Sequence, residues 1–141
     1  MSTRALILLL FLFQDVSLFA QTAATDSLEN VIYKLPDDDE KVNRLNELAG
    51  KTQFVNPNKA VNILKSAIRI AEKIKYPLGI STAYGMQANL LFYEMKLDSA
   101  GQLIDKAYGL VKDGKDKKYR NQVALLTNMY GSVLQQKQQY D

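Results

Sequence analysis

The chain is predicted to be all-α, a stacked solenoid of antiparallel helix pairs, and three observations predict it. A helical-hairpin pattern recurs about every 40 residues, the signature of a stacked repeat architecture. Small residues stand at matching points of that pattern: Ala49, Ala60 and Ala67, then Ala88, Ala100 and Ala107. Apolar residues within each segment follow the i, i+3, i+4, i+7 spacing of a helix with one buried face. The pattern begins a third time at Asn128-Met129-Tyr130-Gly131. Residues 41–141 are therefore expected to hold two complete repeats and the first helix of a third.

The first twenty residues read as an export signal, with Arg4 as the charged start and Ala5 to Phe13 as the apolar stretch. That stretch is too short to cross a bilayer, which takes about 20 apolar residues. Cleavage is expected after Ala20 or as late as Ala24. No cysteine follows, so the mature end cannot be lipidated as a bacterial lipoprotein is. Residues 21–40 are read as a lead-in helix and an acidic turn. Asp26-Ser27-Leu28-Glu29 has the capping-box spacing, and Leu28, Ile32 and Leu35 supply the apolar side. Pro36 ends the helix because it pushes the preceding residue out of helical space. The run Asp37-Asp38-Asp39-Glu40 lacks the alternation and glycine of a calcium loop and is read as charge favouring the next helix start.

From Lys41, Val42, Leu45, Leu48, Ala49 and Thr52 fall on one helical face, and Asn56-Pro57 supplies a cap and a first-turn proline. The following helix carries Ala60, Ile63, Leu64, Ala67, Ile70, Ala71 and Ile74, a stripe wide enough to meet more than one neighbour. Tyr76-Pro77-Leu78-Gly79 closes the hairpin. The next helix runs through Ile80, Ala83, Tyr84, Ala88, Leu91 and Phe92, turns near Lys96-Leu97-Asp98, and pairs with one carrying Ala100, Leu103, Ile104, Ala107, Leu110 and Val111. The last helix, from about Lys118 to Lys137, is expected to expose Val123, Leu126, Met129, Tyr130 and Leu134 unless something packs on them.

Composition narrows the chemistry. The 141 residues are 47% hydrophobic and 23% charged, ordinary for one soluble domain, with a net charge of +3. That charge is small for nucleic-acid binding, and none is expected. The local excess at Lys112, Lys115, Lys117, Lys118 and Arg120 reads as a solvated inter-hairpin loop, with an anionic partner as the alternative. The absence of cysteine and histidine removes thiol nucleophiles, imidazole bases, thiolate or imidazole metal sites and disulfides. Ser66 and Ser81 have no base at a spacing that would activate them, and Gly79 and Gly85 lack the Lys-Ser or Lys-Thr of a phosphate loop. No catalytic, cofactor-binding or metal-binding residue is expected. The tyrosines, from Tyr76 to Tyr140, read as packing and rim residues.

The segments Asn56-Pro57-Asn58-Lys59-Ala60, Gly79-Ile80-Ser81-Thr82-Ala83-Tyr84 and Asp98-Ser99-Ala100 resemble the tetratricopeptide repeat (TPR) in the roughly 40-residue form of exported bacterial proteins. The small residue of the first helix matches Ala49, Ala88 and Gly131. The bulky one a turn later matches Leu91 and Leu134, with Thr52 a smaller stand-in, and the turn aromatic matches Tyr140, with Leu97 one repeat earlier. Departures are Gln87 for an aliphatic residue, Met95 for the turn glycine, and Gly101 inside a helix.

The resemblance implies binding rather than catalysis, through a concave face lined by the first helix of each pair. Its register gives a groove of Asn43, Asn46 and Gln53, then Thr82, Asn89 and Tyr93, then Asn128, Ser132, Gln135 and Gln136. These amides can pair with the backbone of an extended peptide as donors and acceptors. The basic clamp that holds a C-terminal carboxylate in some members is missing. The whole looks like the N-terminal periplasmic sensor region of TPR-containing histidine kinases or helix-turn-helix regulators, an exported input part of a longer signal-transduction protein. The alternative is a stand-alone small periplasmic scaffold or adaptor. Either implies a protein or peptide partner in the concave face. Further repeats or self-association are expected at the open last helix, and membrane contact only through a segment beyond Asp141.

Overall fold

In the computed structural model, residues 25–139 are described, and every regular element among them is a helix. The expected export signal, its expected cleavage point and the Tyr140 match fall outside the described residues. Helix α1 spans residues 25–33 and closes through turn bonds from the Lys34 and Leu35 amides to the Val31 and Ile32 carbonyls. Thr25 is already helical, so Asp26 sits within the helix rather than capping it. The chain divides into two compact units between Leu35 and Pro36, so the acidic turn belongs with the helices that follow it.

The second unit carries α2 (Asp39–Thr52), α3 (Pro57–Lys73), α4 (Pro77–Tyr93), α5 (Leu97–Val111) and α6 (Lys117–Gln138). The acidic run does what its position suggests. Asp38 is the α2 N-cap, its carboxylate accepting from the Lys41 amide at 2.9 Å, and Asp39 and Glu40 fill the first turn. Asp37 accepts from Lys41 Nζ at 3.0 Å and Lys73 Nζ at 2.8 Å, tying the start of α2 to the end of α3. Those hydrogen bonds, Lys73 first and Lys41 second, lower its carboxyl from 3.8 to about 2. Asn56 caps α3 through the Lys59 amide at 3.0 Å, with Pro57 in the first turn. The α3–α4 and α4–α5 turns reverse through left-handed Lys75 (φ 58°) and Met95 (φ 60°). The Tyr76 amide reaches back to the Ala71 carbonyl and the Lys96 amide to the Leu91 carbonyl, the Schellman closure.

Each helix from α2 to α6 packs on the next, and α4 also meets α2 and α6. Helix α4 is therefore the centre of the unit. Its buried residues are Gly79, Ser81, Ala83, Gly85, Ala88 and Leu90, mostly small and on several sides, because four helices approach it. The α2 and α3 stripes are buried as expected, except that Ile74 is half-buried. Ala100, Ile104, Ala107 and Val111 of α5 join Ala88 of α4 and Leu126 and Val133 of α6 in one cluster. Leu126 is thus a correction: it is fully buried, set against Gly85 of α4. Val123 and Met129 are half-buried, and Leu125, Tyr130 and Leu134 remain exposed on α6. Gly131 is exposed, with nothing within 4 Å of where a Cβ would stand, unlike buried Ala49 and Ala88.

Candidate binding groove

Two adjoining depressions run along α4. One, of ≈ 240 Å³, is lined by Gln53 at the end of α2, by Thr82, Gly85, Met86 and Asn89 of α4, and by Gln122, Leu125 and Met129 of α6. The second, of ≈ 210 Å³, shares Asn89 and Met129 and continues over Ala88, Phe92, Tyr93, Ile104, Ser132 and Val133. Thr82, Met86, Asn89 and Tyr93 form one stripe because spacings of three and four keep one face of a helix. Apart from the phenol of Tyr93, no lining side chain ionises. The two carboxylates with lowered pKa, Asp37 and Glu47, do not line it; Glu47 is lowered by its bond to Lys51.

Of the residues expected in the groove, Gln53, Thr82 and Asn89 come together in the first depression, and Asn89, Tyr93 and Ser132 in the second. The hydroxyls are partly committed, Thr82 donating to the Leu78 carbonyl at 2.9 Å and Ser132 to the Asn128 carbonyl at 3.2 Å. The amides of Gln53 and Asn89 make no hydrogen bond among the described residues, so both ends of each are open to a ligand.

Asn46 is a correction. It is 3% exposed, and its Nδ2 donates to the Gly79 carbonyl at 3.1 Å, so it pegs α2 to α4 and is withdrawn from any ligand. Its Oδ1 is buried without a partner among the described residues. Asn43 is exposed at the start of α2 and accepts from the Tyr76 hydroxyl at 3.2 Å, away from both depressions. On α6, Asn128, Gln135 and Gln136 line neither one. The register taken from Gly131 is rotated: α6 meets α4 and α5 through Gln122, Leu126 and Val133, which turns Leu125, Met129 and Ser132 toward the groove.

Sequence reasoning missed Met86, Gln122, Leu125, Met129 and Phe54. Met86 lies four residues from Thr82 and three from Asn89, so the stripe already implied it. Phe54, in the turn after α2, is 73% exposed and meets Tyr93 edge-on, ring centres 6.2 Å apart at 67°. Tyr93 also meets Phe92 edge-on at 6.0 Å. The pair forms an aromatic ledge beside the second depression. Among the described residues no group of three or more metal-ligating side chains is close enough to hold an ion, and no helix is long and apolar enough to cross a membrane. No protein-family model matches the chain, and comparisons with curated proteins and with solved structures give no match.

Proposed function

We propose that the chain is a non-catalytic protein- or peptide-binding module of the TPR type, a right-handed solenoid of antiparallel helix pairs whose inner face is the groove along α4. One observation carries the reading: among the described residues, the unbonded amides of Gln53 and Asn89, the flexible Met86 and Met129, and an aromatic ledge share a groove without a lysine, arginine, aspartate or glutamate. A charged side chain there would find no opposite charge among the lining residues to offset the water it loses. A neutral extended backbone would find donors and acceptors in the amides, and methionines adapt to irregular apolar side chains.

The test is selection of a displayed random-peptide library on the full chain, followed by affinity measurement with Asn89→Ala and the pair Gln53→Ala and Thr82→Ala. The expected result is enrichment of peptides with uncharged centres whose affinity falls at least tenfold in Asn89→Ala while the melting temperature holds. Peptides that bind all variants equally would remove the groove from the function.

The family resemblance extends the proposal to an exported, periplasmic module serving as the input part of a longer signal-transduction protein. Fusing residues 1–24 to a reporter active only outside the cytoplasm checks the exported location. An inactive reporter would remove that part and leave the groove reading standing.

A further inference from the structure

A third depression, ≈ 270 Å³, lies between α5 and α6 and is lined by Ile104, Asp105, Tyr108, Leu126, Thr127 and Tyr130. At about 100° per residue, Tyr130 stands a quarter-turn or more around α6 from Met129, and Thr127 about 160° from Leu125, so this cleft opens on another side of α6 from the groove, the two sharing the buried Ile104. Its floor is apolar, since Ile104 and Leu126 are buried. Its walls are two tyrosines, Tyr108 and Tyr130, which the packing of the core leaves more than a third exposed. Its edge is the exposed carboxylate of Asp105, which forms no ion pair or hydrogen bond among the described residues.

The same seam shows what such a carboxylate takes. Seven residues earlier, two turns along the same face of α5, Asp98 is paired with the ammonium of Lys137 from α6. Asp105 repeats that position without a lysine opposite, and the rings of Tyr108 and Tyr130 line the cleft beside it. A carboxylate beside aromatic rings over an apolar floor is the chemistry that holds an organic cation, by Coulomb attraction and by the negative ring faces.

We propose that the Asp105–Tyr108–Tyr130 cleft is a binding site for an alkylammonium or guanidinium group, separate from the groove and independent of the function assigned to it. A volume above the ~150 Å³ that holds benzene admits a methylated ammonium or the head of a lysine or arginine side chain.

The experiment is NMR titration of the full chain, following the ring protons of Tyr108 and Tyr130. Three probes are used: tetramethylammonium, the neutral tert-butanol of similar shape, and N-acetyl-lysine methylamide. Saturable shifts with the cations but not with tert-butanol are expected. Asp105→Asn weakens binding about fivefold, the scale of an exposed ion pair. Tyr108→Leu weakens it about two- to fivefold, the scale of one cation–π contact. Tighter binding of the lysine derivative identifies a partner's side chain as the source, and equal binding identifies a free cation. Equal response to tert-butanol, or an unchanged affinity in Asp105→Asn, would overturn the proposal. Both substitutions are at exposed positions, and an unchanged thermal midpoint confirms that the fold is intact.

Discussion

Replacing Gly79 by alanine tests whether α2 and α4 are held as closely as the structure has them. A Cβ at Gly79 would stand 2.6 Å from Val42 Cγ1 and 2.6 Å from Cδ1 of the Tyr76 ring, closer than such atoms approach. Val42 is buried on α2 and cannot swing into solvent, so the helices must part. Overpacking of this kind costs about 1–3 kcal/mol. Parting also lengthens the bond from Asn46 Nδ2 to the Gly79 carbonyl, and a buried amide left unpaired costs about 1–3 kcal/mol more. Against this, alanine in a helix gains about 1 kcal/mol over glycine. The expected net is a loss of about 3 kcal/mol. Gly131→Ala is the control, because open space surrounds its Cβ position and only the gain of about 1 kcal/mol remains. Urea unfolding at matched slopes should separate the two variants by about 4 kcal/mol. A Gly79→Ala protein as stable as Gly131→Ala would refute the close α2–α4 approach.

The opposite exchange should help at the turns: Lys75→Gly and Met95→Gly, each relieving a left-handed non-glycine residue, should each raise stability by roughly 0.5–1 kcal/mol, read as a higher urea midpoint. Asp37 makes stability acid-sensitive. Its carboxyl is lowered on folding, so its contribution is complete above the unfolded value near 3.8 and is lost as pH falls toward 2. Asp37→Asn should therefore flatten the fall of the thermal midpoint between about pH 4 and 2, and an equally steep fall in the variant would show that other carboxylates govern it. Phe54→Ser should change stability by less than about 0.5 kcal/mol, since the ring is 73% exposed, while weakening any peptide selected on the groove.

What was legible in the sequence was what is decided locally. The helix start at the acidic run, the cap at Asn56, the proline in the first turn of α3 and the stripes of α2 and α3 depend on neighbours a few residues away. Helix α4 was harder, because four helices surround it and no single stripe describes its buried side. The α6 side of the groove was misread because its facing is set by contact with distant helices, not by the small residue Gly131. A signal was available in the spacing. Val42, Leu45, Asn46 and Ala49 keep the i, i+3, i+4, i+7 pattern, which places Asn46 inside the stripe, and Gln122, Leu126, Met129 and Val133 keep a similar one. In both helices an amide stands in a row of apolar residues; Asn46 was read as groove surface, and Gln122 was given no role.

Those two amides bear on how the groove is assembled. Asn46 crosses from α2 to the Gly79 carbonyl, and Gln122 crosses from α6 to the Ser81 hydroxyl at 3.4 Å, so α4 is pegged on both sides within its first turns. Apolar faces alone tolerate a slip of one turn, about 5.4 Å, if a similar residue takes the place of the first. A slip here would strand a buried amide, at about 1–3 kcal/mol for each bond broken. Gln53 lies seven residues beyond Asn46, and Met129 seven beyond Gln122, so each groove residue sits two turns along the same face from its peg. The bonds that hold α2 and α6 on α4 thereby fix where Gln53 and Met129 meet Asn89, and the groove inherits its register from the polar atoms buried beneath it.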